Sequence, residues 1–392
     1  MPKKNLLIHP GFRIDTWSHI EQRYIWLDQP LKEYYNVFWL VPPTGSQSSR
    51  YTDPAYKDRE PLFVTKLKEI NATLIECDLA KYNQLRNYVS LKKIFDNYNI
   101  DAIFTHFDPL RYVLEILAKV KGVKIIRGEH SFTFIKERRY KIIKWFIYKF
   151  TTDYYVSVSC SVQQHLMNKG LQKKNGCVVY DGFDFDQYPE ANKPESLQSI
   201  VKEFNLAENS RIISCVAKID PNKRQHVLIE MMHQLKQTDL VLLLVGATHD
   251  ESYRNDLDDL IAKYGLNDKV VFCGYRFDVP RFLDASEITY LASSHEGLGN
   301  VIIESYIMRT PVIASDIPPI REIIDNGVNG YRVSSVAEYC EKSVELLNDP
   351  EKRREFAQSG RQKMEHMFSK PVFIDESIKS FENAFECFDR QK

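Results

Sequence analysis

The 392 residues are 43% hydrophobic, 27% charged and 12% aromatic, which excludes a disordered chain and, with no period in Gly or Pro, a fibrous one. At about 150 residues per domain the length makes two domains, each able to bury its own core. Lys plus Arg and Asp plus Glu are both 53, so the net charge is zero and nucleic acid, whose binders carry a strong basic excess, is not an expected partner.

Near the start, Leu6-Leu7-Ile8 is too short an apolar run for the core of a secretory signal, and no later stretch approaches the roughly 18 apolar residues of a membrane-spanning helix. Short apolar runs then alternate with amphipathic helical patterns, the signature of parallel sheets built from strand-helix-strand units. Strands are expected in the first half at Leu6–His9, Val37–Val41, Thr73–Glu76, Ala102–Thr105, Lys124–Arg127, Tyr154–Ser157 and Val178–Tyr180. His9 and His19 read as structural histidines.

Between Lys119 and Lys149 ten Lys or Arg meet only Glu129 and Glu137, a net +8 that exceeds the excess of the whole first half. On a helical wheel at about 100° per residue, Ile142, Ile143, Phe146, Ile147 and Phe150 form the stripe expected to pack inward. Arg138, Lys141, Lys144 and Lys149 lie opposite, with Trp145 and Tyr148 among them. Large aromatics on a cationic face suit an anionic membrane surface, so contact through the Arg138–Lys149 helix is one expectation and a plain solvated helix the other.

Tyr188–Ser196, rich in Pro, Glu, Asn and Lys, follows neither period and reads as the linker between a domain at 1–190 and another at 191–370. Charge reverses here: residues 1–195 carry a net +7 and residues 196–392 a net −7, so the halves are expected to do different work. Strands follow at Ile212–Val216, Val241–Val245, Val270–Phe272, Ile288–Ala292, Val312–Ala314 and Tyr331–Val333, making a second doubly wound sheet. Ligands of such sheets bind beyond the carboxyl ends of the strands, and two sheets facing one another would line a deep cleft with their loops. Seven cysteines with no CxxC pair argue against zinc or a disulfide framework and for the reduced cytosol.

The stretch that carries chemistry is Ser293-Ser294-His295-Glu296-Gly297-Leu298-Gly299-Asn300-Val301-Ile302-Ile303-Glu304, directly after the strand ending at Ala292. Gly297 and Gly299 let the backbone turn and approach a ligand, Asn300 is a suitable N-cap, and the helix behind it offers unpaired N–H groups and a positive dipole end to an anion such as a diphosphate. Glu296 and Glu304, eight positions apart, can address two ends of one ligand. A glycine-bearing strand-to-helix turn also serves tight packing alone, and the turn by itself leaves both readings open.

This stretch resembles the retaining GT-B glycosyltransferases of family 4, which carry two glutamates separated by seven residues, matched by Glu296 and Glu304. The likeness continues through Pro311-Val312-Ile313-Ala314-Ser315, Glu322 and Asn329-Gly330-Tyr331. Upstream, the family has a strand ending in Gly-Arg and a Lys some five residues on; here Ala217, Lys218 and Lys223 stand there. Val156-Ser157-Val158-Ser159 and Val179-Tyr180-Asp181-Gly182-Phe183-Asp184 match too, so the resemblance covers about residues 100–370 well and the first hundred in pattern only. Departures are Ala217 for Gly, Lys218 for Arg, Asp181 for Asn and Arg309 for a small residue; Lys keeps the charge of Arg and loses its planar fork. The glycine pair common near the family's start is reduced to Gly11.

The resemblance implies two Rossmann-like domains facing across a cleft, with residues 371–392 a C-terminal helix crossing back to the first. It also implies transfer of a hexosyl group from a nucleotide diphosphate sugar, with uridine the expected base, to a glycan or lipid-linked acceptor in surface polysaccharide or glycoconjugate synthesis. Lys218 and Lys223 would neutralise the leaving diphosphate, where charge builds as the bond breaks. Glu296 would touch the donor sugar, Glu304 the ribose, and Gly297, Leu298, Gly299, Asn300, Val301 and Gly11 would complete the donor site. His130, after a first-half strand, would reach the sugar, with His106 a weaker candidate. Configuration would be retained by front-face substitution, the departing phosphate taking the acceptor proton. Asp184-Phe185-Asp186 spells a metal-binding triplet, but it leads into the linker, and hard cations want several convergent oxygens, so no metal or cofactor is expected. The departures leave two alternatives: a catalytically silent partner subunit, and a nucleotide-sugar epimerase on the same fold. The enzyme would lie in the cytoplasm, or peripherally on the inner face of the membrane.

Overall fold

The computed structural model describes residues 2–10, 19–41, 62–77, 85–106, 111–130, 141–235 and 239–390. They form two compact units: Met1–Phe183 with Lys370–Lys392, and Asp184–Ser369. In the first, β1 (Lys4–His9), β2 (Tyr35–Val41), β3 (Leu74–Glu76), β4 (Ala102–Thr105), β5 (Lys124–Glu129), β6 (Tyr154–Ser157) and β7 (Gly176–Val178) lie in the order β3-β2-β1-β4-β5-β6-β7. In the second, β8 (Arg211–Val216), β9 (Leu240–Val245), β10 (Val270–Gly274), β11 (Ile288–Leu291), β12 (Val312–Ser315) and β13 (Gly330–Val333) follow β10-β9-β8-β11-β12-β13. Neighbours throughout pair parallel. All six residues of β9, Leu240-Val241-Leu242-Leu243-Leu244-Val245, are buried, as a strand covered by helices on both faces must be. The order reverses direction between β1 and β4 and between β8 and β11, which puts a crevice at the carboxyl end of each sheet.

Each sheet has a core on both faces, and the chain's last helix, Lys370–Asp389, belongs to the first unit. Its Phe373, Phe381, Ala384 and Phe388 join Trp39, Phe63 and Phe104 in one cluster, with Phe381 edge-on to Phe104 and Phe385 stacked on Tyr35, both at 5.0 Å. The points where the chain leaves and re-enters this unit are joined, Lys370 N donating to the Phe183 carbonyl at 2.9 Å. Gly182 is required there, because a Cβ on it would lie 2.5 Å from that of Phe373.

Three expectations are corrected. The stretch Tyr188–Ser196 is no linker: the chain passes between units at Phe183–Asp184, and Lys193–Glu203 is a helix with Pro in its first turn, where the ring costs nothing. Asp284 accepts from Asn192 N at 2.9 Å and Ser196 Oγ at 2.7 Å, tying the segment to the second unit. β7 is Gly176–Val178, two residues earlier than the expected Val178–Tyr180, and its Gly176 leaves room for the Tyr155 ring on the neighbouring strand.

The third concerns the helix Lys141–Thr151. Phe146 and Phe150, expected inside, are 68% and 72% exposed, whereas Tyr148, expected on the basic face, is 1% exposed. The cause is Arg127, fully buried on β5 and paired with buried Glu115. Tyr148 covers its guanidinium with the ring at 4.0 Å and donates to Glu129 at 3.2 Å, and Thr151 accepts from Arg127 at 2.8 Å. A buried charge needs this lining, and the helix turns to supply it. Of the other basic residues, Lys119 and Lys121 pair with Asp153 and Asp96 at 2.6 and 2.5 Å, and Arg138 lies outside the described residues.

Candidate active site

In the second unit the loops after β8 and β11, neighbours where the sheet order reverses, are tied together. After β8, Asp220 accepts from Asn222 N at 2.9 Å and starts the short turn Pro221–Lys223, and left-handed Arg224 (φ 53°) leads into the helix Gln225–Leu235. Asn222 holds the other loop at four points: its carbonyl accepts from Ser294 N at 2.8 Å, its Oδ1 from Ser294 Oγ at 2.7 Å and His295 N at 3.2 Å, and its Nδ2 donates to the His295 carbonyl at 3.1 Å. With the backbones locked, Lys223 Nζ reaches Glu296 Oε1 at 2.5 Å, and Ser293 Oγ donates to the same oxygen at 2.5 Å. The side chains of Lys223 and Glu296 are 17% and 13% exposed, so the pair is shielded and held before any ligand arrives.

Of the Glu296–Val301 run, Glu296 is thereby carried to Lys223. Leu298 and Gly299 are buried, and Gly297, Asn300 and Val301 half-buried. Asn300 is the first residue of the helix Asn300–Ile307 and not its cap, correcting the sequence expectation. The cap is Gly299, at φ 102°, where a side chain would be strained and a Cβ would meet Ile320 at 2.8 Å. Glu304 is half-buried one turn along this helix. The Lys218 backbone is fixed at the end of β8 by Gln225 Nε2, which donates to its carbonyl at 2.8 Å, while its side chain is exposed. Beneath the ion pair, burial pushes the Cys215 thiol up to about 12, with Lys223 opposing and Glu296 reinforcing.

His130 belongs to the first unit, at the end of β5, and Gly11 lies outside the described residues. Tyr24, from the helix His19–Tyr34, places its hydroxyl 3.0 Å from His106 Nδ1 and 3.1 Å from His130 Nε2, and these two nitrogens are 3.1 Å apart. Asp181, ion-paired with Arg23, lies 3.9 Å from His130 Nδ1. These groups line a small pocket of about 40 Å³ whose other wall is apolar, including Phe104 and Phe381. Burial pushes the His130 imidazole down to about 4, the Asp181 carboxylate opposing and Arg23 adding to the effect. The Asp184 triplet forms a short helical turn, Phe185–Gln187, with Asp184 accepting from Gln187 at 3.1 Å. Among the described residues no cluster of three His, Cys, Asp or Glu side chains is placed to hold a metal ion.

Sequence reasoning missed Asn222, Tyr24 and Arg23, and included Ser293 in the chemical stretch without giving it a role. Asn222 flanks Lys223, but the Arg23–Asp181 pair joins distant parts of the chain and leaves no local signal.

Residues 198–363 match the family described as Glycosyl transferases group 1, and residues 50–187 that described as Glycosyltransferase Family 4. EpsD of Bacillus subtilis (strain 168), a glycosyltransferase by name, is 27% identical over 78% of this chain and 82% of its own. The UDP-Gal:alpha-D-GlcNAc-diphosphoundecaprenol alpha-1,3-galactosyltransferase of Escherichia coli is 23% identical over 65% of this chain and 68% of its own. The crystal structure of Anabaena Alr3699/HepE in complex with UDP and glucose superposes with a TM-score of 0.77 at 17% identity, covering 97% of this chain and 99% of that one. With two parallel doubly wound sheets, a glycine loop at the second sheet's switch point and both family matches laid end to end along it, the chain belongs to the group 1 glycosyltransferases of GT-B fold and is a transferase enzyme.

Proposed function

We propose that this enzyme moves a hexosyl group from a UDP-sugar to a lipid-linked or glycan acceptor in surface polysaccharide synthesis, with retention of configuration. The observation that carries the reading is the Lys223–Glu296 ion pair, built by two loops at the switch point where the Asn300 helix begins. Lys223 has one N–H on Glu296 and further donors for the diphosphate, and Lys218, exposed at the end of β8, adds a second cation. Both bonds to Glu296 fall on Oε1, so Oε2 is the atom to receive a sugar hydroxyl. Glu304 holds the ribose, and the departing phosphate oxygen takes the acceptor proton, so catalysis rests on positioning and charge. UDP in the HepE complexes and in the galactosyltransferase relative's name supports uridine.

That relative's name also includes a diphosphoundecaprenol, a lipid-linked acceptor. No described helix is long and apolar enough to cross a membrane, so a lipid acceptor is to be met at the surface. Phe146 and Phe150, one turn apart on the exposed face of Lys141–Thr151 with exposed Lys149 between them, suit an anionic lipid surface.

The test is nucleotide release from a panel of UDP-, GDP-, ADP- and dTDP-sugars, with and without a diphosphoundecaprenol-linked GlcNAc acceptor. Release from a UDP-sugar that depends on acceptor, unchanged by EDTA and giving a product of the donor's anomeric configuration, is expected. Lys223→Ala should lower kcat by about 100-fold, in the range for loss of one charge-stabilising group, and Glu304→Ala should raise KM for the donor. Isomerised sugar without transfer, or normal kinetics in both variants, would overturn the reading.

A further inference from the structure

Across the two loops that follow β8 and β11, Asn222, Ser294 and His295 form a chain of hydrogen bonds in which each proton has one place. The Asn222 amide cannot be reversed, because its Oδ1 accepts from the His295 backbone N–H at 3.2 Å and its Nδ2 donates to the His295 carbonyl at 3.1 Å. Ser294 Oγ stands 2.7 Å from that Oδ1, an atom with no proton to give, so the one hydroxyl proton lies on this bond. The hydroxyl is left as an acceptor toward His295 Nδ1, 3.0 Å away, and the proton between them belongs to the imidazole. Turning the ring over would set Cδ2 against the hydroxyl and forfeit the bond.

We propose that Asn222 and Ser294 are positioning residues that fix His295 as the Nδ1–H tautomer, so that its Nε2 offers a lone pair beside Glu296 to a hydroxyl of the donor sugar. The inference rests on the reading above, in which Glu296 meets that sugar, and it adds a specificity-determining residue to the same loop. His295 directly precedes Glu296, its backbone is pinned by Asn222 on both its N–H and its carbonyl, and its side chain is exposed. With Nδ1 held by Ser294, Nε2 is the ring nitrogen left for a ligand. Which nitrogen of a histidine carries the proton is set by the bond the other makes. Released from Ser294, the ring would favour the proton on Nε2 and would donate there; the network reverses the polarity of that atom. Glu296 Oε2 and His295 Nε2 are then acceptors on adjacent residues, suited to sugar hydroxyls, which can donate. They are unsuited to the diphosphate, whose oxygens only accept and which falls to Lys223 and Lys218.

The experiment is two-bond 1H–15N correlation of the ring nitrogens in the full chain with 15N-labelled histidine, the His295 signals identified by His295→Gln and recorded above the pH at which that ring gives up its charge. The wild type is expected with a protonated Nδ1 and a bare Nε2. Ser294→Ala removes the acceptor of that proton, and Asn222→Ala frees the serine hydroxyl to donate to Nδ1, so in both the Nε2–H form should take over. In turnover with the panel of UDP-sugars, His295→Ala and Ser294→Ala should each raise KM for the donor about tenfold, the scale of one hydrogen bond. His295→Gln, whose amide oxygen reaches the place of Nε2, should recover most of that loss, and His295→Asn, which reaches only the place of Nδ1, should not; a merely structural role would treat the two alike. An Nε2–H tautomer in the wild type, or an unchanged tautomer in Ser294→Ala, would overturn the proposal. The wild-type spectrum decides even if a variant does not fold. Sugar transfer with an unchanged KM in His295→Ala would sink this inference and leave the functional reading standing. No transfer from any donor, with the expected spectrum, would sink the functional reading and the sugar contact with it and leave the tautomer.

Discussion

His130 carries its chemistry into stability. Its folded-state value near 4 lies below the ordinary 6.5, so between those values the unfolded chain binds the extra proton and the folded chain does not. Stability is therefore full above about pH 6.5 and declines as pH falls toward 4, by about 2 kcal/mol between pH 7 and pH 5 for this one group. Urea unfolding at the two pH values should show that loss in the wild type, and His130→Gln should remove it; equal losses in both would place the dependence elsewhere. The second charged residue pair in this unit is structural. Arg127 and Glu115 are both fully buried, and taking away one carboxylate strands the other charge, so Glu115→Ala should cost about 3–5 kcal/mol in the same measurement.

Helices here show how the same pattern can be read two ways. The helix Lys370–Asp389 places Phe381 fully inside the first unit although it is the last helix in the chain. Phe381→Ala should destabilise by about 3–5 kcal/mol, since the lost transfer energy is joined by a cavity. The helix Lys141–Thr151 behaves oppositely: Phe146→Ser with Phe150→Ser should change stability by less than about 1 kcal/mol, both rings being largely in water. The same double variant should lose sedimentation with phosphatidylglycerol vesicles, while phosphatidylcholine vesicles bind neither protein. Equal sedimentation of variant and wild type would remove the membrane role. Glycines distinguish themselves at this scale as well. Gly299 is demanded by a left-handed backbone and by Ile320, and Gly182 by a helix that closes over it.

At the scale of the whole molecule the two units repeat one plan, a parallel sheet whose strand order reverses once and whose polar groups gather at the carboxyl ends next to that reversal. In the second unit the gathered groups are an ion pair and a glycine loop, and in the first a phenol with two imidazoles. The sequence by itself determined the strands other than β7, because parallel strands buried on both faces read as short continuous apolar runs, and it singled out the Glu296–Glu304 stretch, whose residues lie within a dozen consecutive positions. Tertiary structure alone decided the rest. Which face of Lys141–Thr151 turns inward follows from Arg127 needing Tyr148 as a cover, and where the units part follows from Asp284 holding Asn192. The partners of His130 come from a helix and two strands far apart in the chain, and packing, not periodicity, brings them within hydrogen-bonding distance.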